Sequence, residues 1–553
     1  MRELFKRLFG AEPGGISSGG AALFALILAG FALVTANPPA FDFEYALYLD
    51  TASFYWVRAL WDKDLFGADP LAAFYYANMF RFCPESFWVW PTAVLVKLAG
   101  YAPGLKLLAA GACAAAALLV RRVALASPAR PAAGAAVLLF AALFLSMDSF
   151  FGVPRVYGAL AVLAYAWAAE ERRFELLAPL TALCFAVYPV VAAGLAAATL
   201  LVPVFFREEF SAGGRWRRYL VSLAAGAALI LVFAALSRVL FNAAPDAANI
   251  GAFESDKFYQ MVPAALDPFN PADALANFVL NFNEHGTLYV IFTALLAGVY
   301  GLGLLVAPRR PAMLPRSVLV LLAGGGAAFA LLYPLHPVTA SRQLVFVLPL
   351  ALVFLAAEGL AAIFGGRLRT AAVGAACAVL FACLHPFFNK TQSLRGYAGV
   401  YAFLAAQPRG SAVAGYPESD LVFTAPVFAS QPAVLSAGTA DQEVLFFRSP
   451  ADYAQRRRTL LQALYCADPA AEVRLAGYGA RWLLLEKKYY SPAFLSGLGT
   501  SPRPADAAAA SVLASGANPE SCYARWARLA AFSWEAEGGG FAVPLAAAAE
   551  GAR

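Results

Sequence analysis

The sequence predicts an all-α polytopic membrane protein of about 11 transmembrane helices with a C-terminal extracytoplasmic α/β domain. Three observations predict it. Of the 553 residues, 61% are hydrophobic and 14% charged, with a mean hydropathy of +0.65. A soluble chain of that make-up would expose too much apolar surface. Apolar runs of bilayer-crossing length recur, separated by short arginine clusters. From Asn389 onward the apolar runs shorten to strand length and alternate with helical patterns.

The N-terminal MRELFKRLFGAEPGGISSGG is basic and then apolar, like a signal peptide. Thr35-Ala36-Asn37 makes a poor cleavage site, so this segment reads as a retained first helix. Apolar spans follow at about 20–36, 104–120, 132–147, 152–169, 174–188, 190–206, 218–241, 288–306, 317–334, 342–364 and 370–387. A further run at 86–99, SFWVWPTAVLVKLA, is the ambiguous one. Basic clusters at Arg2/Lys6/Arg7, Arg121/Arg122/Arg130, Arg172/Arg173, Arg207–Arg218, Arg309/Arg310/Arg316 and Arg367/Arg369 set the topology. All fall on one side, the cytoplasmic side by the positive-inside rule, only if 86–99 is re-entrant or interfacial. The net charge of +6 therefore reflects topology, and no nucleic-acid partner is implied.

This topology divides the chain into a transmembrane part, 1–388, and a C-terminal domain, 389–553. It places a first external loop, 37–85, a second, 242–286, and the C-terminal domain on the non-cytoplasmic face. In the C-terminal domain, Ala412–Ala414, Ala433–Leu435 and Trp482–Leu485 read as strands, and 451–465 as a helix. The end, from about Ala505, is rich in Ala, Gly and Pro and is expected to be partly loose. Seven cysteines lack CxxC spacing. Cys113, Cys184, Cys377 and Cys383 fall in apolar spans as small hydrophobes. Cys466 and Cys522 could pair if their domain faces an oxidising compartment.

The first loop carries the most chemistry. It holds Asp42, Glu44, Asp50, Asp62, Asp64, Asp69 and Glu85 against Arg58, Lys63 and Arg81, with aromatics interleaved. That pattern suits short interfacial helices, whose rings have one apolar and one wet side. The second loop is also acidic, and His285, His336 and His385 fall on the same face, as do Arg155 and Arg342. A carboxylate can deprotonate a hydroxyl, and an arginine can hold a phosphate through paired hydrogen bonds. Against this, any one loop acid could be a helix N-cap or a solvated charge, and Arg155 and Arg342 could be headgroup anchors. The histidine spacing gives no metal-ligand set.

The layout resembles the GT-C superfamily of integral-membrane glycosyltransferases, including the protein mannosyltransferases, aminoarabinose transferases and oligosaccharyltransferase catalytic subunits. The resemblance rests on LYLDTASFYWVRALWDKDLFGADP in the first loop, GVPRVYGAL, HPVTASRQLVFVLPL and, in the last domain, YGARWLLLEKKYY. It implies sugar transfer from a polyprenyl-phosphate donor to an acceptor on the non-cytoplasmic face, in an inverting reaction. Asp50 occupies the place of the general base, with Asp42 and Glu44 as alternates or metal ligands. Asp69, Arg81, Arg155, Glu284, His285, His336 and Arg342 are the expected substrate-binding residues. A divalent cation is a cofactor open to this family, and membrane lipid is a partner. Arg-rich, Ala-rich composition suggests a bacterial inner membrane, with the N-terminus cytoplasmic and the C-terminal domain periplasmic. Two other classes fit less well: a transporter or flippase for a lipid-linked or polar solute, and a catalytically inactive GT-C-like scaffold. The first would place charges deep in the spans, where they are costly; here they cluster at span ends, with Lys97, Arg238 and Glu358 the nearest exceptions.

Overall fold

A computed structural model of the chain describes residues 44–48, 57–58, 87–145, 155–188, 191–211, 215–240, 287–307, 314–333, 342–364, 372–380, 391–435, 450–501 and 504–545, with single positions at 20, 61, 340 and 370. The apolar runs fold as helices: α1 (Val89–Ala99), α2 (Tyr101–Leu125), α3 (Ala133–Leu145), α4 (Arg155–Glu170), α5 (Leu177–Val187), α6 (Ala192–Phe205), α7 (Arg215–Leu240), α8 (Thr287–Val306), α9 (Arg316–Leu332) and α10 (Val347–Phe364). Four described helices are long and apolar enough to cross a membrane: Tyr101–Leu125, Arg215–Phe233, Leu288–Val306 and Val347–Phe364. Shorter apolar helices, among them α3, α6 and α9, pack between and beside these four. The first predicted span and both large external loops lie almost wholly outside the described residues.

The ambiguous run 86–99 forms the 11-residue α1. At 1.5 Å per residue it is about 16 Å long, roughly half the hydrocarbon core. Gly100, at φ 90°, turns the chain straight from α1 into α2, a conformation that suits a residue without Cβ. Trp88 and Val89 at one end of α1 share an apolar cluster with Val96, Tyr101 and Ala102 at the other. The Phe87 N–H donates to the Ala186 carbonyl at 3.2 Å, which fixes the start of α1 beside the C-terminal turn of α5.

The arginine clusters meet at one end of the bundle. Arg122 pairs with Glu171 at 3.8 Å, Arg172 with Glu209 at 2.8 Å, and Arg316 with both Glu208 and Glu209 at 3.6 Å. The buried Glu170, last residue of α4, accepts from the Ser317 N–H at 3.0 Å and so caps the first turn of α9.

After the bundle, β2 (Thr391–Ser393) pairs antiparallel with β1 (Ala46–Tyr48) from the first loop. Then come α11 (Ala398–Ala405), β3 (Ala412–Gly415), α12 (Asp420–Phe428), α13 (Pro450–Leu464), α14 (Ala470–Gly477), β4 (Ala480–Glu486), α15 (Pro504–Ala514), α16 (Pro519–Arg528), β5 (Phe532–Trp534) and β6 (Gly540–Pro544). The sheet order is β3-β4-β6-β5, with β3 and β4 parallel and the other pairs antiparallel.

Two details differ from the sequence reading. Residues 433–435 contribute only a bridge, Val413 to Ala433, and no strand. The segment from Ala505 is ordered into α15, α16, β5 and β6, with Trp526 fully buried and Cys522 bonded to Cys466. β6 gains its order by pairing with the distant β4, which local composition does not register.

Candidate functional site

Opposite the ion-paired end, the segment Gln343–Phe346 forms a hub. It lies just before α10, in the stretch ASRQLVFVLPL. The buried Gln343 side chain accepts from the Gly194 N–H at 2.8 Å, in the first turn of α6. The Val345 carbonyl accepts from the Tyr289 hydroxyl at 2.8 Å, in the first turn of α8. Phe346 meets the Tyr188 ring edge-on, centroids 6.3 Å apart. Tyr188 in turn lies so close to Gly158, in the first turn of α4, that a Cβ there would sit 2.4 Å from the ring. The first turns of α4, α6, α8 and α10 are thus gathered about one short segment.

None of those four first turns carries an acidic residue. The positive ends of the helix dipoles therefore meet without a first-turn carboxylate to neutralise them. Arg155 is the first residue of α4 and Arg342 lies beside Gln343, each half-buried. N-terminal N–H groups and guanidinium groups together favour an anion of the phosphate class.

The first loop and the C-terminal sheet reach the same end. Val57 is buried with Trp88, Val89, Phe423 and Val427, and Tyr157 and Val187 pack against this cluster. Tyr157 follows Arg155 by two residues, and its hydroxyl is 3.0 Å from Thr92 in α1. Arg58 Nη1 donates to the Pro426 and Val427 carbonyls, both at 3.0 Å, and Nη2 donates to Ser430 Oγ. Tyr45 stacks with Tyr401 at 6.3 Å and lies 5.4 Å from the Phe428 ring.

A buried polar set braces α12 from below. Glu486, at the end of β4, accepts from the Tyr397 hydroxyl and from Lys488 Nζ, each at 2.8 Å, and from Ser419 Oγ. Ser419 caps α12 by accepting from the Val422 N–H at 3.3 Å. Burial, and then the charge of Glu486, raises the Tyr397 phenol above its ordinary value and keeps it a donor.

Of the sequence-predicted residues, the described structure brings Arg155 and Arg342 to one end of the bundle. Glu44 is exposed, next to the stacked Tyr45. Asp42, Asp50, Asp69, Arg81, Glu284, His285 and His336 lie outside the described residues. Among the described residues no three His, Cys, Asp or Glu side chains gather as metal ligands. Sequence reasoning passed over Gln343, Tyr188 and Tyr289, which build the hub. Gln343 left a trace as the one amide beside Arg342 at the approach to an apolar span; the two tyrosines left none.

No family model matches the chain, and no curated protein matches it. Solved structures do resemble it. One is the Archaeoglobus fulgidus oligosaccharyltransferase in complex with Zn and sulfate, at a TM-score of 0.48 and 13% identity, covering 87% of this chain and 70% of that one. The same organism's oligosaccharyltransferase AglB, in complex with an inhibitory peptide and a dolichol-phosphate, gives 0.44 and 12% over 88% and 72%. ArnT from Cupriavidus metallidurans bound to undecaprenyl phosphate gives 0.38 and 14% over 88% and 95%. These are GT-C membrane glycosyltransferases. The resemblance read from the sequence layout is met again among solved structures. Likenesses of this degree leave the function to be read from the chain's own residues.

Proposed function

We propose that this chain is a membrane glycosyltransferase that moves a sugar from a polyprenyl-phosphate donor to an acceptor on the non-cytoplasmic face. The observation that carries this reading is the hub. Four helix N-termini, Arg155 and Arg342 meet at the end of the bundle to which the acidic first loop and the C-terminal sheet are fastened. That is the arrangement a leaving phosphate needs next to a loop rich in carboxylates.

In this reading Asp50 takes the proton from an acceptor hydroxyl, with Asp42 and Glu44 as alternates in the same loop. The hydroxyl oxygen bonds to the anomeric carbon as the bond from that carbon to the phosphate oxygen breaks. The electron pair leaves with the polyprenyl phosphate, and attack opposite the leaving group inverts the anomeric centre. Arg155, Arg342 and the helix N-termini stabilise the charge gained by the phosphate. Asp69, Arg81, Glu284, His285 and His336 belong to the surrounding loops that would hold sugar and acceptor. The apolar walls of the bundle would take the prenyl chain. The C-terminal α/β region, 389–553, acts as an extracytoplasmic domain, and the protein would reside in a bacterial inner membrane.

The test is turnover of a panel of radiolabelled polyprenyl-phosphate sugars by purified protein in lipid, wild type against Asp50→Asn. Loss of a general base typically lowers the rate about 10²- to 10⁴-fold. That loss, with undecaprenyl-phosphate binding retained, supports the reading. Full turnover by Asp50→Asn removes the role given to Asp50. Absence of both turnover and binding by the wild type across the panel counts against a transferase.

A further inference from the structure

We propose that Arg58 is a positioning residue that, with Tyr45, closes the Asp50-bearing part of the first loop onto the end of helix α12. The inference rests on the transferase reading in one respect only, that Asp50 works from this loop.

Two anchors flank Asp50 in sequence, and they converge on adjacent residues of α12. The upstream anchor is β1, paired with β2, and the Tyr45 ring beside it, which packs on Phe428. The Leu394 N–H also donates to the Tyr45 carbonyl at 3.1 Å. The downstream anchor is Arg58, bound to the carbonyls of Pro426 and Val427 and to Ser430 Oγ. The last carbonyls of a helix have no partner inside it and carry the negative end of its dipole. A guanidinium that caps them is therefore held by charge as well as geometry, and its fork can serve two carbonyls and a hydroxyl together. Both anchors end on Val427 and Phe428, so the chain from Tyr45 to Arg58 leaves α12 and returns to it.

Residues 49–56, Asp50 among them, lie inside that closed segment. Holding both ends near each other restricts the conformations open to the segment. A general base must stand within hydrogen-bond reach of the proton it removes, so its position governs the rate more than substrate affinity. α12 is itself braced by Ser419, Glu486 and Tyr397. The C-terminal sheet would thus act on the chemistry through α12 and Arg58.

Full-length protein in nanodiscs tests this with four chains: wild type, Arg58→Ala, Arg58→Lys, and Arg58→Ala combined with Leu47→Cys and Gln392→Cys. Leu47 and Gln392 face each other across β1 and β2, a spacing within reach of a disulfide. Hydrogen exchange over 45–61 and turnover of the radiolabelled polyprenyl-phosphate sugars are read together. The expected result in Arg58→Ala is exchange about tenfold faster in that segment, as on losing a charge-assisted hydrogen bond. Turnover number should fall at least tenfold with KM within about threefold of wild type, because the phosphate-side residues are untouched. Arg58→Lys should recover part of both, and the 47–392 cross-link should restore exchange and most of the turnover until it is reduced. Unchanged exchange in Arg58→Ala overturns the proposal, whatever the turnover. So does a turnover loss that the cross-link fails to restore although exchange recovers. A wild type that turns over no donor, with exchange still loosened in Arg58→Ala, overturns the transferase reading and leaves Arg58 as the tie between loop and sheet.

Discussion

The two ends of the helical bundle use the same device with opposite charge. At the ion-paired end a buried carboxylate, Glu170, accepts from the first turn of α9. At the hub a buried neutral amide, Gln343, accepts from the first turn of α6. Glu170 neutralises the helix N-terminus it caps, and Arg172, Arg316, Glu208 and Glu209 complete a network in which opposite charges are matched. Gln343 satisfies its N–H and leaves the positive potential of the helix ends in place. One end is a topological anchor with its charges balanced; the other is shaped for an anion to arrive.

The largest expected effect that would sharpen this contrast comes from the Cys466–Cys522 disulfide, whose cysteines are 56 residues apart. Reduction should cost the C-terminal sheet about 4 kcal/mol by the loop-entropy estimate. Hydrogen exchange should show β4 and β6 loosened while α4, α9 and the ion-paired end stay protected. Equal loosening at both ends would show that they are one cooperative unit and that the contrast is only chemical.

Alkaline pH should separate the same regions. Tyr397 and Tyr416 are held above the ordinary phenol value of 10.0, first by burial and then by Glu486 and Asp506. Below that value both states keep their protons and the full contribution is present. As pH rises past about 10 the unfolded chain releases protons that the folded chain retains, so stability falls. Between about pH 10 and 12 the arginine–carboxylate pairs stay charged, and the C-terminal sheet should open first, as read by exchange or tryptophan fluorescence.

A matched pair of substitutions gives the next effect. Gln343→Ala and Glu170→Ala each strand one buried N–H and should each cost about 2 kcal/mol. They should differ in function: Gln343→Ala should weaken undecaprenyl-phosphate binding, Glu170→Ala should leave it within about twofold. Equal binding losses would break the assignment of the anion site to the hub. The smallest effect belongs to Arg316, whose pairs at 3.6 Å are solvent-screened. Arg316→Ala should change thermal stability by about 0.5 kcal/mol or less.

Much of the helical part is legible in the sequence, because membrane helices announce themselves by length and apolarity within a few residues. The runs read at 174–188, 190–206 and 288–306 correspond to Leu177–Val187, Ala192–Phe205 and Thr287–Val306. Arg155 and Arg342 were also legible, since isolated bases at span ends stand out. The hub was not: Gln343, Tyr188 and Tyr289 look like ordinary residues of apolar segments until folding brings four helix starts together. The same holds for Arg58, one base in an acidic loop, whose partners are 368 and 369 residues away.

By itself the sequence determined which segments are apolar, where charges collect, and that carboxylates concentrate in the first loop; these follow from local composition and solvent preference. Only the tertiary structure decided that 86–99 folds as a short helix with both ends at the hub side, that the chain from Ala505 is ordered, and that α12 fastens the first loop to the C-terminal sheet. Those outcomes depend on hydrogen bonds and packing between residues far apart in the chain. A helix C-terminus has open carbonyls in any sequence that forms one, but only the folded chain selects which guanidinium caps them.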